Sequence, residues 1–144
     1  MIELDVFKQK LEEDKEHLPL LTLDEFFARN PEEDSIAPNQ WGYGRPALAE
    51  IRDMLQRIES MPNVAWIRVA LHEDTEIREE NGEVLALAGD SIVICTGMEP
   101  EELEKAVNCE WLCSDGVIES NPELYYSCIP PIPDNYNCWE IVWD

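Results

Sequence analysis

Basic residues are scarce in this chain: 10 lysines and arginines stand against 32 aspartates and glutamates, a formal net charge of −22 over 144 residues. Such a surface repels DNA, RNA and anionic membrane, so neither nucleic acid nor membrane is an expected partner. Histidine is rarer still, at two residues, His17 and His72, which leaves imidazole chemistry only two places to start. No apolar run reaches the roughly 18 residues that a membrane-spanning helix needs. The opening Met1-Ile2-Glu3-Leu4-Asp5 has neither the basic nor the apolar region of an export signal. A cytoplasmic location is expected.

The cysteines are odd in number, Cys95, Cys109, Cys113, Cys128 and Cys138, and an unsignalled chain keeps such thiols reduced, where they pack as small hydrophobes. Structural zinc takes closely spaced ligand pairs, but Cys128 and Cys138 are far apart and have no histidine near them in sequence. A cysteine nucleophile needs a base, which limits the choice to His72 approaching Cys95 across a pair of strands. The acidic runs Glu32-Glu33-Asp34, Glu79-Glu80 and Glu101-Glu102 lack the alternating oxygen ligands and central glycine of a calcium loop. No catalytic residue, metal or cofactor is expected.

Apolar residues make up 44% of the chain, ordinary for a folded protein, and a chain of this length buries roughly 68–70% of its unfolded surface. One acidic domain over residues 1–144 is expected. The acidity is spread over it: residues 1–40 hold 11 acids and 4 bases, residues 41–100 hold 11 and 5, and residues 101–144 hold 10 and 1.

Strand signals concentrate between residues 63 and 96. Val64 to Leu71 is rich in β-branched, aromatic and aliphatic residues, Asn81-Gly82 supplies a hairpin dipeptide, and residues 83–88 and 91–96 return on either side of Gly89-Asp90. The expectation is an antiparallel meander with a turn at Gly89-Asp90. Helical spacing of Leu4, Phe7 and Leu11 predicts a helix over 3–17, and Leu48, Ile51, Leu55 and Ile58 predict one over 46–61, opened by Pro46. Thr22 with Glu25 reads as a capping box for a short helix. A further helix is expected at 98–107, a small hairpin around Asp115-Gly116, a proline-rich loop over 121–137 and a terminal strand from Cys138 to Trp143. The fold class is therefore α+β, an antiparallel sheet extended by the later strands, with helices mainly on one face. Ile51, Leu55, Ile58, Trp66, Ile67, Val69, Leu85, Leu87, Val93 and Leu112 are expected in the core.

Residues 30–45 lose all periodicity yet carry Ile36, Trp41 and Tyr43, which predicts a long ordered loop. Carboxylates Glu32, Glu33 and Asp34 lie a few residues from Trp41 and Tyr43, so one loop offers both steering charge and aromatic anchors. Those five residues are the candidate partner-binding set. Arg45 is expected to form an internal salt bridge.

In size, acidity and mixed α/β pattern the chain resembles the small acidic immunity proteins that neutralise bacterial toxins. Its segments Glu33 to Gly42, Cys109 to Gly116 and Cys138 to Trp143 also look like a bacterial family without an assigned activity. The resemblance implies a non-enzymatic protein whose acidic surface masks a basic protein partner such as a toxin, and it transfers no functional residue. The competing expectation is a small hydrolase using a carboxylate pair or a cysteine in a cleft, since carboxylate pairs are recognised by separation in space rather than by spacing in sequence.

Overall fold

A computed structural model describes residues 1–143. Its elements run α1 (Leu4–Glu13), α2 (Leu23–Phe27), α3 (Leu48–Glu59), β1 (Val64–Leu71), β2 (Glu76–Glu79), β3 (Glu83–Ala86), β4 (Gly89–Thr96), α4 (Pro100–Val107), α5 (Cys109–Leu112), β5 (Gly116–Ser120) and β6 (Asn137–Val142). The class is α+β with antiparallel sheets. A four-stranded sheet has the order β1-β4-β6-β5, and β2 and β3 form a separate hairpin.

That pairing corrects the expected meander. β1 pairs directly with β4, Leu71 lying opposite Gly89, and the intervening residues leave the sheet as an excursion. His72 N–H donates to the Ala88 carbonyl at 2.7 Å, while Thr75 Oγ1 bonds both the carbonyl and the N–H of Ala88. These bonds close the base of the excursion and free Gly89 to re-enter the sheet. Gly89 is not a turn residue: a Cβ there would lie 3.1 Å from Phe26 and 3.2 Å from Ile36, so glycine is required by close packing. Asn81 and Gly82, both at positive φ, do form the hairpin tip.

The expected hairpin around Asp115-Gly116 is also replaced. Asn108 and Cys113 take left-handed backbone and bracket one helical turn, α5, whose start is capped by Asn108 Oδ1 accepting from Trp111 N–H. Residues 116–120 pair with β6 instead, Gly116 opposite Val142. Cys109 and Cys113 are thus a helical turn apart, not residues of one strand.

Strand alternation gives the main sheet two buried faces. Ile67, Val69, Leu71, Ile92, Ile94 and Ile141 join residues of all five helices in the larger core, with Phe26, Ile51, Leu55, Leu103 and Leu112 almost wholly inaccessible. Trp66, Ala70, Val93, Cys95 and Cys138 point the other way and are covered by Leu20 and by Tyr126, Ile129, Ile132 and Tyr136 of the proline-rich loop. Trp66 Nε1 donates to the Pro131 carbonyl at 3.0 Å, pinning that loop down. All ten residues expected in the core are buried.

The free edge of β1 is closed by the segment after α1. Leu21 exchanges two backbone hydrogen bonds with Val69, at 3.0 and 2.7 Å, and Leu20 N–H reaches the Ser127 carbonyl at 2.9 Å. The segment ties α1, the sheet edge and the proline-rich loop into one rim, and covering an edge in this way removes a site for unwanted strand pairing.

Candidate functional site

Arg45 organises the loop that carries the sequence-predicted residues. Its side chain is wholly buried, and it donates to the carbonyls of Ile36 and Pro46 and to the Glu33 carboxylate, the last at 3.2 Å. Burial pushes its guanidinium down, and the charges of Glu33 and Asp34 oppose that shift. Glu33 also accepts from Leu48 N–H at 3.0 Å, supplying the cap that Ala47 cannot give the first turn of α3. The Trp41 ring lies 4.6 Å from the guanidinium, a cation–π contact.

The five predicted residues therefore separate. Glu33 is held by Arg45 and α3, and Trp41 lies over Arg45 with 39% of its surface exposed. Glu32, Asp34 and Tyr43 are exposed, Tyr43 at 83%.

Asp34 lies at one end of a feature that the sequence did not reveal. Three neighbouring clefts along the rim share lining residues. The first, about 550 Å³, is lined by Leu11, Glu12, Asp14, Lys15, Glu16, His17, Leu18 and Glu73. The second, about 470 Å³, shares Glu16, His17, Leu18 and Glu73 and adds Leu71, His72, Asp90, Tyr125 and Tyr126. The third, about 310 Å³, shares His72 and Asp90 and adds Asp34, Ser35, Asn39, Asp74 and Trp143 among others. Among the described residues, seven carboxylates, Glu12, Asp14, Glu16, Asp34, Glu73, Asp74 and Asp90, line this trench against one lysine and the two histidines.

No sequence motif links these positions, because they come from four segments that meet only through the folded rim: the end of α1, the turn after β1, the start of β4 and the loop before α3. The bridges Leu21 to Val69, Pro19 to Ser127 and Ile36 to Gly89 bring them together. Within the trench, the N–H groups of Glu16 and His17 bind the Asp14 carboxylate at 2.9 and 3.1 Å and help hold it below the usual carboxylate range. His17 stands 3.4 Å and His72 3.5 Å from their neighbouring aspartates.

Tyr126 connects the trench to a buried polar network. Its hydroxyl donates to Glu140 Oε2 at 3.1 Å, and the same carboxylate accepts from Ser91 Oγ at 2.7 Å and from Ser120 Oγ at 2.6 Å. Three donors satisfy a carboxylate that is only 9% exposed. Burial, then the Glu140 charge, pushes the Tyr126 phenol up to about 12.

His72 and Cys95, the one histidine–cysteine pairing that strand pairing could have made, stand apart. Cys95 is opposite Trp66, six residues back along β1 from His72, about 20 Å at the strand rise. Cys95 and Cys138 are buried, Cys109 and Cys113 half-buried and Cys128 exposed. Among the described residues no group of three or more His, Cys, Asp or Glu is placed to hold a metal ion, and no helix is long and apolar enough to cross a membrane. Another opening, about 590 Å³, is a broad dish over the wet face of α3, lined by Glu50, Asp53, Gln56, Arg57, Ser60 and Trp111. Arg57 partly offsets the acids there, which distinguishes it from the trench.

Residues 2–141 match the model of the Uncharacterized protein YfbO family. The chain belongs to that family. No curated protein and no solved structure matches it. The family's description assigns no activity, so the functional reading rests on the physical features of the chain itself.

Proposed function

We propose that this protein is a non-enzymatic, cytoplasmic interaction protein that masks a basic partner, in the manner of an immunity protein covering the phosphate-binding surface of a bacterial toxin. The trench carries the reading, with its seven carboxylates and single lysine. In an overall field of −22 these acids steer a cationic surface toward one side of the molecule and stand where nucleic-acid phosphates would otherwise bind.

Charge governs encounter, whereas dissociation depends on desolvated anchors. Tyr125, 63% exposed beside the trench, and its chain neighbour Leu124, 60% exposed, are the anchors this reading calls on. Asp34 lines the trench, and Glu32, Trp41 and Tyr43 are exposed on the same loop before α3. The internal roles of Glu33 and of the Trp41 face against Arg45 leave the outer indole surface available.

The test is a binding titration against a cationic nuclease domain of a toxin, with an acidic protein of similar size as control, at about 50 mM and about 500 mM salt. Saturable binding of the nuclease with loss of its activity, weakened at high salt, is the expected result. Equal behaviour toward both proteins, or no binding at low salt, contradicts the proposal.

A further inference from the structure

We propose that Cys95 and Cys138 form a reversible disulfide that staples β4 to β6, making the pair a redox-modification site under the proline-rich loop. The two residues are direct cross-strand partners. Facing residues of an antiparallel pair have Cα atoms about 4.5–5.5 Å apart, inside the 4.4–6.8 Å range of disulfides. Both side chains point to the same sheet face and are buried together with Trp66, Ala70 and Val93. The facing thiols act on one another: Cys138 holds Cys95 below the usual thiol range, while Cys95 and burial push Cys138 up.

Access comes from one side. Cys138 lines a cleft of about 360 Å³ bounded by Ser120, Asn121, Pro122, Ile132 and Tyr136, wide enough for hydrogen peroxide. The reaction needs no other component. One sulfur attacks the peroxide O–O bond and takes one oxygen as a sulfenic acid while water leaves; the second sulfur displaces that oxygen as another water and closes the S–S bond. Two thiol protons end in the two waters, both sulfurs are oxidised, and the peroxide is reduced. A dithiol reductant reverses the bond.

The other cysteines do not compete for this geometry. Cys109 and Cys113 belong to α5 and its cap, and Cys128 is exposed with Lys10 Nζ 3.9 Å from its sulfur. The staple closes a loop containing α4, α5, β5 and the proline-rich segment, and restricting the unfolded chain over that length raises the melting temperature by about 10 °C.

The experiment treats the full chain, carrying Cys128→Ser to prevent intermolecular linkage, with hydrogen peroxide. The expected product is lighter by about 2 Da, has peptides containing Cys95 and Cys138 linked, melts about 10 °C higher and reverts with dithiol reductant. Cys138→Ala should abolish the linkage. If that variant fails to fold, the peptide map of the parent protein decides alone. Linkage between other cysteines, over-oxidation of Cys138 without linkage, an unchanged or lowered melting temperature, or no reaction of the pair under conditions that oxidise Cys128 in the unsubstituted chain overturns the proposal.

Discussion

Replacing Arg45 by methionine should unfold the loop before α3 more readily than any change to its exposed acids. The substitution keeps most of the stem but removes every polar contact of a wholly buried guanidinium. The carbonyls of Ile36 and Pro46, both in buried residues, lose their donor, at about 1–3 kcal/mol for each buried group left unsatisfied. The Glu33 pair adds less, because Glu33 is 46% exposed and its charge is partly screened. Loss of the Trp41 stacking contributes about 0.5–1 kcal/mol. Removal of the desolvation cost of a buried charge offsets part of the sum, which leaves a net loss of about 3–5 kcal/mol. For a chain of this size that lowers the melting temperature by about 10–17 °C. Urea denaturation followed by tryptophan fluorescence, paired with a calorimetric melt, measures both. A loss below about 1 kcal/mol would refute the view that Arg45 holds this loop together.

Trp41→Ala should cost about 1–2 kcal/mol, less than the roughly 3–5 expected of an aromatic fully embedded in a core, because the indole is partly exposed over Arg45; a thermal melt shifted by more than about 12 °C would make it a core lid. Alkaline titration should destabilise the fold through Tyr126: its phenol is raised to about 12 from 10, so its contribution is complete below pH 10 and is lost as pH rises through about 12. With the ring still partly exposed this amounts to about 1–2 kcal/mol, and Tyr126→Phe should flatten the stability profile over that window. Raising salt from about 10 mM to about 500 mM should increase the melting temperature by screening the repulsion of a −22 chain; a decrease would mean that attractive ion pairs dominate.

Local signals in the sequence located the helices because their determinants are near in sequence. Leu48, Ile51, Leu55 and Ile58 all face the core, and Thr22 with Glu25 forms both bonds of its capping box, at 2.9 and 3.0 Å. Strand positions were legible for the same reason, but pairing was not. Whether residues 83–88 join the sheet depends on Thr75 and His72 bonding Ala88, and the place of Gly89 depends on Phe26 and Ile36, more than fifty residues away in sequence. At α5, left-handed Asn108 and Cys113 override the strand-like run Trp111-Leu112-Cys113. The loop acids were visible as a run, whereas the trench was not, since Glu16, Glu73 and Asp90 become neighbours only when the rim after α1 zips onto β1.

Stopped-flow association with a cationic nuclease domain shows whether the trench acids steer a basic partner, comparing the parent protein with Glu16→Gln/Glu73→Gln/Asp90→Asn over a range of salt. Glu33 is left intact because it supports Arg45 and α3. The triple variant is expected to associate about tenfold more slowly at low salt, with a flatter salt dependence and a little-changed dissociation rate. Association rates that match the parent protein at every salt concentration would contradict steering by these acids.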